Sequence, residues 1–202
     1  MSDLLTHSIV EAGRWIDLQG WCPATGGNFS ARIDDTSAWV TASGRHKGEL
    51  TPYDLLKVNL EGLPIDSVLK PSAETLLHMS LYALDENIGA VLHTHSVAST
   101  VLSRLESSES LLLSGYEMQK SLSGNHTHDS TIAIRVFENT QDMHVLAQQL
   151  KSDWAKSPLQ WGFLVRGHGL YAWGRDMAEA RRHLEGLEFL FACERDMMLL
   201  NK

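Results

Sequence analysis

Apolar side chains recur at helical spacing through Leu5, Ile9, Ala12, Ile16 and Leu18, which predicts a first helix from residue 3 to about 19. Ser2 or Asp3 can cap it, and Gly20-Trp21-Cys22-Pro23 ends it. The period then shortens to that of strands near Phe29–Ile33, Ala38–Thr41 and Leu55–Leu60, with Thr51 and Pro52 opening one helical turn before the third. Ser72 is the expected N-cap of a helix whose apolar content is Leu76, Leu77, Met79 and Leu84. Ala90-Val91-Leu92, between Gly89 and the polar Ser96, reads as a buried strand leading into His93-Thr94-His95. A helix over Ser96–Leu105, a short strand at Leu111–Leu113, an alternating strand over Thr131–Phe137 and a helix over Asn139–Lys151 follow, the last capped by Thr140 or Asn139. Trp161–Trp173 reads as strand, Gly-His-Gly turn and strand. Asp176 then caps a long helix to Asn201 that buries Met177, Ala180, Leu184, Leu187 and Phe191.

The 202 residues suit a single domain over 1–202, and 43% apolar content is enough for a real core. A formal charge of −8 argues against a general nucleic-acid binder, which needs a basic footprint. No apolar run approaches the length of a membrane span, and the N-terminus lacks a signal-peptide pattern. Cys22 and Cys193 match neither a disulfide framework nor a metal motif. Two reduced thiols in a cytoplasmic protein are expected.

Side chains alternate across a strand, so His93 and His95 point to one face. Two imidazoles at a strand end are half of a zinc site, and a catalytic site adds a third ligand and keeps one position open. His168, held between Gly167 and Gly169 after an apolar run, is the candidate third ligand. His126-Thr127-His128 has the same spacing but sits among turn formers, so a solvated loop is the better reading. Two polar turns at strand ends, Thr25-Gly-Gly-Asn28 and Ser43-Gly44 followed by Arg45, His46 and Lys47, have the donors and charge of an anion grip. Either alone is equally an ordinary turn. Glu74 stands in the first turn of its helix, as dipole partner, acid/base or metal ligand. His78 reads as structural. Glu117, off any charged helix face, is either a surface glutamate or an acid/base.

Together, Thr25-Gly-Gly-Asn-Phe-Ser30, Thr41-Ala-Ser-Gly44, Pro71-Ser-Ala-Glu74, His93-Thr-His95 and Gly167-His-Gly169 resemble the class II aldolase/adducin superfamily, in its order and over nearly the whole chain. Gly44–Gly48, Lys70–His78, Gly115–Lys120, Arg166–Asp176 and Glu179–Phe191 are similar to its branch of dehydratases that act on 5-methylthioribulose 1-phosphate in methionine salvage. The resemblance implies an α/β fold, a three-layer α/β/α sandwich around a largely antiparallel sheet. It also implies a homotetramer with sites at subunit interfaces, and one Zn2+ per subunit on His93, His95 and His168. Glu117 takes the acid/base position, and Glu74 matches the aldolases' catalytic glutamate, where some dehydratases carry cysteine. Thr25, Gly26, Asn28, Ser43, Gly44 and Ser72 become substrate and phosphate contacts. The first turn departs from the usual Thr-Ser-Gly-Asn at Gly26, which removes a hydroxyl donor, and Ala73 replaces a serine that aldolases often use. The implied reaction is dehydration to 5-methylthio-2,3-dioxopentyl phosphate through a zinc-chelated enediolate. A class II aldolase cleaving a related ketose 1-phosphate would share that enediolate, and a non-catalytic adducin-like module is the non-enzymatic alternative. The context of Glu117 favours dehydration, and the three histidines favour an enzyme.

Overall fold

A computed structural model describes residues 2–200, so the expected helical residue Asn201 lies outside them. In chain order the elements are α1 (Ser2–Leu18), β1 (Asn28–Asp34), β2 (Ser37–Thr41), β3 (Leu55–Asn59), α2 (Thr75–Leu84), β4 (Ala90–Thr94), α3 (Val97–Leu105), β5 (Ser110–Leu113), β6 (Ile132–Phe137), α4 (Met143–Lys156), β7 (Gly162–Val165), β8 (Gly169–Gly174) and α5 (Met177–Leu200). The strands form one sheet in the order β3-β2-β1-β4-β8-β7-β6-β5. Every neighbouring pair is antiparallel except β6 and β7.

Alternation along the central strands sends side chains into two separate cores. Phe29, Leu92 and Leu170 pack with Ile9 and Ile16 of α1, Leu102 of α3 and Leu184, Leu187 and Phe191 of α5. Val91, Tyr171 and Trp173 pack on the other face with Leu77 and Leu81 of α2 and Leu146, Leu150 and Trp154 of α4. The result is the expected three-layer α/β/α sandwich, with a largely antiparallel sheet between the helix layers. Strand β4 is covered on both faces over its full length, which accounts for an apolar run without polar alternation. Burying each large aliphatic side chain in these layers contributes about 1.5–3 kcal/mol.

Several helix starts differ from expectation for local reasons. Helix α1 begins at Ser2, so Asp3 stands in its first turn rather than before it. Ser72 does not cap α2: residues 72–75 make a separate turn, Thr75 N donating to Ser72 O at 3.1 Å, and Glu74 occupies the N-cap position without a side-chain cap bond. Helix α4 runs over Met143–Lys156 rather than Asn139–Lys151. Asp142 is its cap, accepting from His144 N at 2.9 Å, whereas Thr140 closes an upstream turn by accepting from Asp142 N at 3.1 Å. Asp176 caps α5 as expected, accepting from Glu179 N at 2.8 Å, and Ser96, read as the first residue of α3, is instead its cap, accepting from Ser99 N at 3.0 Å. Cys22 and Cys193 are unpaired, and no helix among the described residues is long and apolar enough to cross a membrane.

Candidate metal centre

Three strand ends and one helix start meet at one end of the sheet. Register pairs His93 near the end of β4 with Asn28 at the start of β1 on one side and Tyr171 of β8 on the other. His95 lies just past β4, its backbone N–H held by Trp21 O at 2.8 Å. His168 sits in the β7–β8 turn, where both glycines are needed. Gly167 takes φ +64°, and a Cβ on Gly169 would lie 1.9 Å from Thr94 O. Helix α3 fixes the same turn: Thr100 Oγ1 donates to His168 O at 2.9 Å, and Ser103 Oγ accepts from Gly167 N at 3.0 Å.

The structure brings all three expected histidines together, and Glu74 with them. Their ligand atoms lie within 4.8 Å of one another. The Nε2 atoms are separated by 2.8 Å (His93–His95), 3.3 Å (His93–His168) and 3.1 Å (His95–His168). Glu74 Oε1 is 3.0 Å from His168 Nε2 and 3.6 Å from His93 Nε2. A tetrahedral ion with Zn–N bonds of about 2.0–2.1 Å sets its ligands roughly 3.3 Å apart, so these residues fit a zinc-sized cation. His93 Nδ1 donates to Leu170 O at 2.9 Å, so in the neutral ring Nε2 is the lone pair that faces the cluster. Bare lone pairs at this separation repel unless a cation or proton lies among them.

The electrostatics suit the same role. Burial, reinforced by His93 and His168, pushes the His95 imidazole down to about 3, so it is neutral at physiological pH. Burial works to raise the Glu74 carboxyl, but hydrogen bonding and charge from His168 and His93 outweigh it and hold the group well below the carboxylate range. The other Glu74 oxygen accepts from the Asn28 amide. Burial raises the Cys22 thiol to about 12, so it stays protonated beside the centre. His78 is structural, as expected: it is buried and bonded through Nδ1 to Ser30 Oγ at 2.8 Å.

Asn28 and Glu74 also line a neighbouring cavity of about 280 Å³, together with Thr25, Gly26, Ser43, Gly44, Ser72 and His95. All six expected substrate-contact residues therefore surround one cavity that opens beside the metal centre. Of the three basic residues after Gly44, only Lys47 lines it. Arg45 pairs with Asp54 at 3.2 Å, and His46 faces Asp17 at 3.9 Å.

Glu117 is not part of the cluster. It lies in a one-turn helix, 73% exposed, paired with Lys120 at 2.7 Å and with His128 at 3.7 Å. His126 and His128 are exposed and outside the metal centre. Residues whose part was not foreseen are Tyr171, stacked on His93, and Glu188 of α5. The Glu188 carboxylate accepts from Thr94 Oγ1 at 2.9 Å and Ser96 Oγ at 2.5 Å. No local motif marks either one; a carboxylate amid an apolar helical stripe was the available signal for Glu188.

Comparison with known proteins agrees with this geometry. The class II aldolase and adducin N-terminal domain family matches residues 7–194. Methylthioribulose-1-phosphate dehydratase of Serratia proteamaculans is 56% identical over 193 residues, 96% of this chain and 95% of its own. The enzyme of that name from Marinobacter nauticus is 50% identical over 197 residues, 97% and 95% of the two chains. Among solved structures, L-fuculose-1-phosphate aldolase from Thermus thermophilus superposes with a TM-score of 0.80 at 26% identity, covering 100% of this chain and 98% of its own.

Proposed function

The chain belongs to the class II aldolase and adducin family, and on that premise we propose that it is a zinc-dependent hydro-lyase of methionine salvage, dehydrating 5-methylthioribulose 1-phosphate to 5-methylthio-2,3-dioxopentyl phosphate. The observation that carries this reading is the shared wall of metal centre and cavity. Asn28 and Glu74 join a three-histidine cluster to a cavity lined by hydrogen-bond donors.

The reaction removes a proton from C3, expels the C4 hydroxyl as water with one added proton, and lets the resulting enol tautomerise to the diketone. His93, His95 and His168 would hold the zinc, which when bound would supply Lewis acidity toward the ketone and so acidify the C3 hydrogen. Glu74 is the proposed base: its carboxylate is ionised and oriented by Asn28. The donors around Asn28, Ser43 and Gly44 hold the phosphate and so fix C3 and C4 over the centre. Glu117 is the proposed acid for the C4 hydroxyl. The Lys120 hydrogen bond and charge hold its carboxyl below the usual range in the single chain. Exposed and outside the cluster, it serves a site on a neighbouring copy, where losing the Lys120 pair and entering a drier site would raise its pKa. This reading includes a cytoplasmic homotetramer with sites at subunit interfaces.

Product analysis tests it. Zinc-loaded protein incubated with 5-methylthioribulose 1-phosphate should yield the diketone phosphate, lighter by one water. Dihydroxyacetone phosphate and a methylthio-aldehyde would instead establish carbon–carbon cleavage and replace the dehydratase reading with an aldolase.

A further inference from the structure

Lys47 is about 1% exposed, yet it forms no ion pair among the described residues. Its ammonium donates to two backbone carbonyls, Thr25 O at 2.9 Å and Arg45 O at 2.6 Å. These carbonyls belong to the two loops that wall the cavity beside the metal centre, and Lys47 itself lines that cavity. An ammonium has three donors, so one N–H has no acceptor among the described residues. Burying a cation without an anionic partner is expensive, so buried charges are normally paired and hydrogen-bonded. Burial pushes its pKa down, while Cys22 and Glu74 oppose the shift.

The charge pattern of the cavity identifies the missing partner. Among the described residues Lys47 is the only lysine or arginine lining it; neutral donors such as Asn28 and Ser43 and one carboxylate, Glu74, supply the rest. A phosphate monoester carries about −1.5 to −2 charge at neutral pH and would meet the Glu74 carboxylate with neutral donors alone. The geometry points to Lys47 as the positioning residue and counter-charge of this cradle. It ties the Thr25 loop to the Arg45 loop through their carbonyls and offers its third N–H and its charge to the phosphate of the substrate. This inference rests on the sugar-phosphate reading above and adds to it the group that makes the cavity selective for a dianion.

The test is calorimetric titration of zinc-loaded protein with inorganic phosphate, for the wild type, Lys47→Met and Lys47→Arg. Lys47→Met should weaken phosphate binding by roughly tenfold or more with bound zinc per chain unchanged, and Lys47→Arg should recover most of the loss. Phosphate binding by Lys47→Met equal to that of the wild type would overturn the inference, as would a wild type that binds no phosphate. If Lys47→Met does not fold, the wild type still decides. Its buried ammonium should give a slowly exchanging 15Nζ signal, assigned by its loss in Lys47→Arg, that moves on phosphate saturation; an unmoved signal overturns the inference. Binding asks nothing of turnover. A protein that holds phosphate through Lys47 but leaves methylthioribulose phosphate intact would fail the proposed reaction and keep this inference.

Discussion

The phenol ring of Tyr171 lies flat on the imidazole of His93, with centroids 3.9 Å apart and planes 13° from parallel. The contact follows from register, because the two residues are direct partners across β4 and β8. The same register brings the Leu170 carbonyl to His93 Nδ1. His93 is thus oriented by a stack on one side and a hydrogen bond behind it, with its side chain wholly buried. Tyr171→Leu should keep the fold but loosen this orientation, lowering metal affinity by about 10–100-fold. The Tyr171 hydroxyl is buried without a partner among the described residues. Tyr171→Phe should therefore leave metal affinity intact and change stability by less than about 1 kcal/mol. Metal titration and urea denaturation of the two variants check both expectations.

Removing a ligand should remove the metal. His93→Ala, His95→Ala and His168→Ala should each purify with far less than one bound metal per chain, by elemental analysis. Chelation of the wild type should abolish turnover, and zinc should restore it. A histidine variant that keeps full metal content would exclude that residue from the centre.

Glu117 should matter for turnover and not for folding. Its side chain is 73% exposed, so Glu117→Gln should melt at the wild-type temperature while turnover falls by roughly 100-fold or more. Mixing it with His168→Ala under conditions that exchange subunits should restore part of the activity if the acid comes from a neighbouring copy. No recovery from verified mixed oligomers would place the acid elsewhere.

Glu188 should give stability a pH dependence of unusual sign. Burial raises its carboxyl to about 7, against the opposing hydrogen bonds from Ser96 and Thr94. Between the unfolded value near 4.5 and the folded value near 7, the native state binds more protons than the unfolded chain. The contribution is most favourable below that window and is lost as pH rises through it, by roughly 3–4 kcal/mol in total. Glu188→Gln cannot ionise, so its stability relative to wild type should rise between pH 4.5 and 7. Parallel denaturation curves across that range would refute the assignment.

Gly169 should tolerate no side chain. An added Cβ would lie 1.9 Å from Thr94 O, between β4 and β8, where neither backbone can yield cheaply. Gly169→Ala should cost more than about 2 kcal/mol of stability and displace His168 from the centre, measurable as lost metal.

Much of this was legible in the chain. Strand alternation aligned His93 with His95, the Gly-His-Gly turn marked His168, and turn chemistry picked out Thr25, Asn28, Ser43 and Gly44. Where expectations failed, a nonlocal or competing local bond decided. Ser72 looked like a helix cap, but its turn delivers Glu74 to the N-cap, where the carboxylate is taken by His168 and Asn28 instead of the helix. Asp142 outcompeted Thr140 for the start of α4 because its side chain reaches two backbone N–H groups of the first turn.

The sequence by itself determined the periods, the helix and strand segments, the turn glycines and the kinds of ligand available, because these depend on residues within a few positions of one another. Only the tertiary structure decided which of those groups meet. Sheet register set Tyr171 against His93, and antiparallel pairing brought residues 28, 93 and 171 to one end of the sheet. Packing turned Lys47 inward and left Arg45 to Asp54, although both stand in one short basic run. Tertiary partners, not residue type, separated Glu74 from Glu188: burial works to raise both carboxyls, but His168 and His93 outweigh it at Glu74, whereas the hydroxyls of Ser96 and Thr94 do not at Glu188.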